Sequence, residues 1–255
     1  MFTTAQIEKN LQQIKGTIKL NGYNFEKLNL IAITKQQPRE IIQRCHSLGL
    51  TSIGENRAEE IEAKRETLTQ YSDLKLHFIG NIQSRKIKLL PQNLYSFDSI
   101  NSLKTAQKLE NWLLTIDRHN PLPVLLQVNP TTEPQKSGFL FETKSGIAIP
   151  QEAMLEVIEF ILNSDKLKLN GLMAMGPTPI SEHSYIMGNP KYENDTSKAF
   201  ENTANLKSNI EKRYNTTLER LSLGMSHDYL LALEQGANEV RIGSLLVGAR
   251  RLTVQ

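Results

Sequence analysis

The sequence predicts a single (β/α)₈ TIM barrel with one extra helix at its N-terminus. Short runs rich in Ile, Leu and Val alternate with longer segments of helical periodicity, and eight such runs can be distinguished. Crossovers of helical length imply parallel strands, and eight of them favour closure into a barrel. The alternative is an open doubly wound sheet, but no G-x-G-x-x-G motif follows the first run. We therefore expect residues 1–255 to form one barrel domain, since such barrels often reach this length.

The extra helix comes first, over Thr4–Leu20. Its apolar stripe, spaced by three to four residues, consists of Ile7, Leu11, Ile14 and Ile18. The strands are predicted where apolar runs end at polar residues or glycine: Leu28–Thr34, Leu50–Gly54, Leu74–Ile79, Leu94–Phe97, Val124–Val128, Leu169–Ala174, Glu219–Leu223 and Val240–Ile242. Amphipathic patterns between them predict helices over Pro38–Leu48, Arg57–Thr69, Ser84–Leu89, Ser102–Arg118, Glu152–Asn163, Lys198–Tyr214 and His227–Gln235.

Two segments are too long to be tight connections, Phe139–Pro150 and Gly176–Thr196. Both follow predicted strands, so both are expected at the carboxyl end of the barrel. Long loops on that face are typically lids or binding loops. No linker is long or polar enough to divide the chain into separate domains.

The composition restricts the class of protein. Basic residues number 30 against 27 acidic ones, and the two kinds are interspersed, so we expect no nucleic-acid partner. No apolar run approaches the roughly 18 residues of a membrane helix, and the N-terminus lacks a secretory pattern. The single cysteine, Cys45, excludes an internal disulfide and fits a helix face in a reducing compartment. We expect a cytoplasmic monomer with no membrane partner and no bound metal.

Residues at the ends of the predicted strands carry the functional signal, because ligands of such barrels bind at the carboxyl ends of the strands. The first strand ends at Lys35, which taken alone is more typical of a solvated residue. The last two strands end in Gly224-Met225-Ser226 and Gly243-Ser244. These small residues let a ligand approach the backbone and add two hydroxyls, which indicates a phosphate site. Ser226 taken alone is more typical of a helix cap, and it is the two turns together that favour a phosphate site.

Arg241 is the second part of this signal. Alternation along the last strand places Arg241 and Gly243 on one face and Ile242 on the other. If Gly243 faces the phosphate site, the guanidinium points into the barrel mouth. The alternative is a structural ion pair of Arg241 with Glu55 or Asp228, because a buried charge is costly without a partner.

An amine, a phosphate site and an inward arginine are the parts of a pyridoxal phosphate (PLP) site. The lysine would form the Schiff base, which requires an amine that is partly deprotonated, and partial burial and Arg241 both favour that state. An arginine facing the pyridine nitrogen cannot accept its proton. The ring would then stay neutral and would be a poorer electron sink.

Several motifs resemble one known family. They are A-I-T-K (Ala32–Lys35), I-G-E-N (Ile53–Asn56), H-F-I-G-N-I-Q-S-R-K (His77–Lys86), Q-V-N (Gln127–Asn129), E-P-Q-K-S-G-F (Glu133–Phe139), G-L-M-A-M (Gly171–Met175), L-S-L-G-M-S-H-D (Leu221–Asp228) and V-R-I-G-S-L-L-V-G-A-R (Val240–Arg250). In this order they resemble the pyridoxal phosphate homeostasis proteins, single barrels akin to the N-terminal domain of alanine racemase.

The resemblance implies a role for each matching residue. Lys35 is expected to form the Schiff base with PLP, Arg241 to face the pyridine nitrogen and Asn56 to lie close to the ring. The phosphate is expected to be bound by Ser226, Gly243 and Ser244 with the backbone of Met225. Some positions depart from the family pattern: Asn81, Arg85, Leu223, Ser244 and Val247 stand where His, Asn, Met, Thr and Phe are common. Ser244 keeps the hydroxyl of the usual threonine.

Two classes of function remain open. The family implies a non-catalytic protein of PLP homeostasis that holds PLP and delivers it to apo-PLP enzymes. The alternative is a PLP-dependent amino acid racemase, which needs a base on each face of the substrate carbon. In alanine racemase the second base comes from an additional domain, which we expect to be missing here, although Tyr185 or Tyr192 could substitute. A class I aldolase would need an acid/base group beside Lys35, and Glu55 is the candidate.

Overall fold

The computed structural model describes residues 2–131, 133–144, 146–178 and 189–249. Its strands are β1 Asn29–Ile33, β2 Ser52–Glu55, β3 Lys75–Phe78, β4 Ser96–Ile100, β5 Leu122–Val128, β6 Phe141–Lys144, β7 Ile147–Pro150, β8 Leu167–Ala174, β9 Arg220–Ser222 and β10 Glu239–Ile242. Eight of them form a closed parallel barrel in the order β1-β2-β3-β4-β5-β8-β9-β10, and β10 returns to β1. This confirms the predicted barrel.

The helices cover the outside of the barrel. They are α1 Thr4–Leu20, α2 Glu40–Ser47, α3 Ala58–Ala63, α4 Arg65–Gln70, α5 Leu103–Leu113, α6 Glu152–Leu162, α7 Pro190–Tyr214, α8 Tyr229–Glu234 and α9 Ser244–Val247, with 3₁₀ helices at Phe25–Lys27 and Ser84–Leu89. Within the described part of the chain, no helix combines the length and apolar character that crossing a bilayer requires.

The extra N-terminal helix has the predicted bounds because its start is capped. The hydroxyl of Thr3 accepts the N–H of Gln6, and the Gln6 side chain accepts the N–H of Thr3, which forms a capping box. The predicted apolar stripe is buried. Asn10 donates a hydrogen bond of 3.0 Å to the carbonyl of Leu246, so α1 is fixed to the helix that follows the last strand.

Several elements differ from the sequence prediction. The helix predicted over Ser102–Arg118 ends at Leu113, and the helix predicted over Ser84–Leu89 is a 3₁₀ helix. The helix predicted over Arg57–Thr69 is broken into α3 and α4 at Lys64, whose side chain is 8% exposed and turns towards the barrel. The loop predicted over Phe139–Pro150 contains the antiparallel hairpin β6–β7. The helix predicted from Lys198 begins at Pro190, because Asn189 caps it with its side chain and proline suits a first turn. Residues 179–188 of the long loop lie outside the described residues.

A buried ionic layer fills the amino-terminal end of the barrel. Arg220 donates to Asp98 at 2.8 Å and to Glu239 at 2.7 Å, and His77 lies 2.9 Å from Asp98. Burial alone would raise the pKa of Asp98, but the guanidinium of Arg220 and the hydrogen bond with His77 outweigh it and hold this pKa well below its usual range. A Cβ on Gly171 would lie 1.8 Å from the carbonyl oxygen of Arg220, so this strand pairing requires glycine.

Replacing Arg220 by methionine is expected to destabilise the protein by about 3–5 kcal/mol, because two buried carboxylates lose their counter-charge. The measurement is the free energy of unfolding in urea. The control is Lys168→Met, which breaks a pair with Glu219 whose side chains are 52% and 59% exposed. That change is expected to cost less than about 1 kcal/mol. Equal losses for the two variants would contradict the structural role of this layer.

Candidate functional site

One cavity of about 280 Å³ opens at the carboxyl ends of the strands and collects six of the seven predicted site residues. They are Lys35, Met225, Ser226, Arg241, Gly243 and Ser244. They come from both ends of the chain, and the parallel pairing of β1 with β10, with Ala32 beside Ile242, brings them together. The volume is near the lower end of the roughly 300–1,000 Å³ typical of small-molecule sites.

Lys35 lies in the segment that follows β1 and lines this cavity. Thr34, one residue earlier, is buried on the outer side of the barrel, where its hydroxyl donates to Glu55 at 2.6 Å. Ile33, the last residue of β1, alternates with Thr34 and lines the same cavity as Lys35. Sequence reasoning did not assign Ile33 to the site, although the same alternation would have found it.

Arg241 is buried beside the cavity and is held mainly by neutral acceptors. Its guanidinium donates to the carbonyl and the hydroxyl of Ser222, both at 2.8 Å, and to the carbonyl of Ala174 at 2.7 Å. Burial lowers the pKa of Arg241, against the opposing effect of nearby carboxylates, Asp228 among them. A guanidinium has five N–H donors, so these bonds leave capacity for a ligand. The alternative prediction is an ion pair of Arg241 with Glu55 or Asp228. Within the described part of the chain, neither carboxylate is hydrogen-bonded to the guanidinium.

The two small-residue turns lie side by side. The hydroxyl of Ser244 donates to that of Ser226 at 3.3 Å, and the N–H of Leu245 reaches the Ser226 hydroxyl at the same distance. Gly224 has a φ of +80°, and a Cβ there would lie 2.7 Å from that of Ala232, so the first turn needs glycine. Both hydroxyls can thus turn to a shared anion.

The backbone of Met225 is already engaged. Its N–H donates to the carboxylate of Asp228 at 2.5 Å. Asp228 is buried, which raises its pKa, while the bond from Met225 and the charge of Arg241 oppose the rise. If the Met225 amide also contacts a phosphate, its hydrogen must be shared with Asp228. The predicted phosphate contact of the Met225 backbone therefore stays a prediction.

Asn56 is not among the residues that line this cavity. It lines a neighbouring cavity of about 660 Å³ together with residues of α3 and the segment after β3. Its Oδ1 is buried without a hydrogen-bond partner among the described atoms. The close approach of Gly80, where a Cβ would lie 2.0 Å from the Asn56 carbonyl oxygen, fixes this part of the chain. The expected proximity of Asn56 to the cofactor ring stays a prediction.

Other residues of the cavity had no clear sequence signal. Ile79, His227 and Val247 line its wall. Gln37 also lines it, and its buried amide donates to the carbonyl of Ala249 at 3.1 Å, which joins the loop after β1 to the end of the described chain. His227 could have been suggested by its position next to Ser226.

The candidate acid/base groups of the alternative functions lie elsewhere. Glu55 is buried on the outer side of the barrel, where it accepts hydrogen bonds from Thr34 and from Lys64 at 2.7 Å. Tyr192 lies in the first turn of α7 and is not among the cavity-lining residues. Tyr185 lies outside the described residues.

Glu133 and Lys136 join two loops at the rim of the barrel. Lys136 donates to Glu133 at 2.8 Å and to the carbonyl of Gly176 at 2.6 Å. Thr178 donates to Glu133 through its N–H at 2.9 Å and through its hydroxyl at 2.7 Å. Burial raises the pKa of Glu133, but the bonds from Lys136 and Thr178 outweigh it and lower this pKa to about 2. The loops after β5 and β8 are therefore held together by a charged contact.

Comparison with known proteins gives consistent relatives. The family model described as the N-terminal domain of alanine racemase matches residues 3–251. A pyridoxal phosphate homeostasis protein from Aquifex aeolicus is 30% identical over 98% of this chain and 100% of its own. PipY from Synechococcus elongatus, solved without and with PLP bound, gives a TM-score of 0.76 in both states at 25% and 22% identity; 95% of this chain and 100% of PipY are covered. An alanine racemase from Clostridium difficile shares only the fold, with a TM-score of 0.70 at 14% identity over 97% of this chain and 57% of its own.

Glu133→Gln tests the rim contact through its pH dependence. Because the pKa of Glu133 is lowered from 4.5 to about 2 in the folded state, its stabilising effect is present above pH 4.5 and is lost as the pH falls towards 2. The variant should be less stable than the wild type at neutral pH, and the difference in urea midpoint should shrink across that interval. Glu142→Gln, in a hairpin pair with side chains 54% and 72% exposed, is the control. A difference that does not vary with pH would exclude the proposed contact.

Proposed function

The chain belongs to the family of pyridoxal phosphate homeostasis proteins, which share the alanine racemase N-terminal domain, and from this premise we propose that its barrel-mouth cavity binds PLP. In this proposal the protein holds the cofactor covalently on Lys35 and hands it over to apo-PLP enzymes as a monomer, with little or no catalysis of its own. The alternative function is amino acid racemisation.

One observation carries the proposal. An amine, a guanidinium and two hydroxyls, separated by up to 209 residues in sequence between Lys35 and Ser244, line the same small cavity. These groups match the aldehyde, the ring nitrogen and the phosphate of PLP in chemical type. All the donors in this proposal come from one chain.

Each residue has a distinct role in holding the cofactor. Lys35 supplies an amine that condenses with an aldehyde and releases water. Ser226 and Ser244 offer hydroxyls to the phosphate. Gly243, which lies between the end of β10 and Ser244, has no side chain to obstruct the phosphate. When bound, PLP supplies an electron-withdrawing ring that is most effective with a protonated nitrogen.

Arg241 limits that chemistry. A guanidinium only donates hydrogen bonds and stays charged, so it can stabilise an unprotonated ring nitrogen but cannot hold a proton there. Its contacts to Ser222 and Ala174 fix its plane and prevent it from turning away. The residue therefore favours retention of the cofactor over stabilisation of a carbanion.

The ionisable groups of the cavity also favour a carrier. Among the described residues lining it, these are Lys35, His227 and Arg241. Racemisation requires a second acid/base group on the opposite face of the substrate from the lysine. His227 adjoins Ser226 on the phosphate side, and the tyrosine and glutamate candidates considered for catalysis, Tyr192 and Glu55, do not line the cavity.

Lys35→Ala is expected to abolish the visible absorption band that wild-type protein acquires with PLP, because the covalent attachment is lost. Absorption spectra with increasing PLP provide the measurement. Lys168→Ala, which removes an exposed lysine far from the cavity, is the control and should keep the band. A Lys35→Ala variant with an unchanged band, or a wild type that acquires none, would overturn the proposal.

Removal of both hydroxyls in Ser226→Ala/Ser244→Ala should weaken binding of PLP about tenfold or more, because hydrogen bonds to a charged group are lost. Binding of pyridoxal, which lacks the phosphate, should change little. Equilibrium titrations with the two compounds separate these outcomes. An equal loss of affinity for both would show that the serines do not contact the phosphate.

The choice between carrier and racemase is tested with the PLP-loaded protein. We expect no catalytic formation of D-alanine from L-alanine, but recovery of activity when the loaded protein is mixed with an apo-PLP enzyme. Chiral chromatography measures the first and the activity of the recipient the second. Sustained turnover of alanine would support the racemase alternative.

A further inference from the structure

The lysine of the cavity stands in a strained turn. The carbonyl of Thr34 accepts the N–H of Gln37 at 3.1 Å, so Lys35 and Gln36 are the two central residues of a β-turn. Gln36 has a φ of +58°. A positive φ at the third position of a turn is normally adopted by glycine or asparagine. In glutamine this conformation is sterically unfavourable. Something outside the turn must hold this backbone in place.

Contacts from behind the barrel supply that restraint. The carboxylate of Glu60 accepts the N–H of Gln36 at 2.7 Å. The amine of Lys64 donates to the carbonyl of Thr34 at 2.9 Å. The two backbone groups flank Lys35 on either side, and both bonds come from the segment at α3, on the side of the sheet opposite to the cavity.

The restraining side chains are themselves fixed by charge. Lys64 donates to Glu55 at 2.7 Å and lies 3.6 Å from Glu60. Lys64 is 8% exposed and Glu55 is fully buried, so neither can leave the pair without losing its counter-charge. Thr34 completes the set through its hydroxyl bond to Glu55.

We propose that Glu60 and Lys64, supported by Glu55, are positioning residues that hold the Thr34–Gln37 turn and so aim the amine of Lys35 into the cavity. The proposal rests on the proposed function for its consequence, PLP binding, but the restraint on the backbone is a property of the protein alone. It also explains why a lysine that never enters the cavity breaks the helix between α3 and α4. In this proposal the helix is interrupted at Lys64 so that its amine can donate to the carbonyl of Thr34.

Glu60→Ala is the principal variant, because Glu60 is partly exposed and its loss leaves the Lys64–Glu55 pair intact. The matched control is Glu59→Ala on the same helix, whose carboxylate pairs with Lys86 on the surface. We expect Glu60→Ala to weaken PLP binding about tenfold, the effect of losing one hydrogen bond to a charged group. Glu59→Ala should leave the affinity unchanged.

Hydrogen exchange of the Gln36 amide, followed by NMR without PLP, tests the restraint directly. Exchange should accelerate about tenfold or more in Glu60→Ala and remain at the wild-type rate in Glu59→Ala. Gln36→Gly should restore most of the PLP affinity in the Glu60→Ala background, because glycine adopts a positive φ without strain. General destabilisation would not be repaired in this way.

The outcomes separate the two proposals. If wild-type protein fails to bind PLP, the proposed function falls, while the exchange rate of Gln36 still decides the restraint. An unchanged Gln36 exchange rate in Glu60→Ala overturns the positioning role, whatever happens to PLP affinity. A faster exchange rate with unchanged affinity overturns the link between the turn and the lysine.

Discussion

The closure of the barrel between β1 and β10 is the contact on which the rest of the site depends. The first strand carries Lys35 at its carboxyl end, and the last carries Arg241 followed by Gly243 and Ser244. These residues are remote in sequence, and the parallel pairing of Ile31 with Arg241 and of Ala32 with Ile242 makes them neighbours. An open sheet with the same strands would leave the amine of Lys35 and the two small-residue turns at opposite edges.

The barrel interior contains two arginines in successive layers with different surroundings. Arg220 and Glu239 begin β9 and β10, and two residues later on the same strands come Ser222 and Arg241. In the lower layer the guanidinium is neutralised by two buried carboxylates. In the upper layer the hydrogen bonds of Arg241 go to carbonyls and a hydroxyl, so more of its charge remains available to a ligand. One arginine is thus paired with carboxylates inside the barrel, and the other lines the cavity.

Much of this structure could be predicted from the sequence, because period and alternation report directly on which face is buried. All eight barrel strands and the bounds of α1 follow from that pattern, and the inward direction of Arg241 follows from its spacing to Gly243.

The lower arginine layer could not be predicted in this way, since an inward arginine gives the same signal whether its partners are carboxylates or carbonyls. At the break between α3 and α4, Lys64 contacts Thr34, 30 residues away, and no local pattern encodes such a contact. The hairpin β6–β7 was missed because its residues resemble a loop in composition, although Ala148 lies buried between the exposed Ile147 and Ile149. Asn56 lines a neighbouring cavity and not that of Lys35, which depends on tertiary packing that no local pattern reports.

The central claim is that Lys35 holds the cofactor in the cavity it shares with Arg241 and the two serines. Borohydride reduction of the PLP-loaded protein, followed by peptide mass spectrometry, locates the attachment among all lysines at once. The structure predicts a single modified peptide, the one that contains Lys35, with one cofactor per chain. Label spread over surface lysines, or concentrated on a lysine outside the cavity, would contradict it.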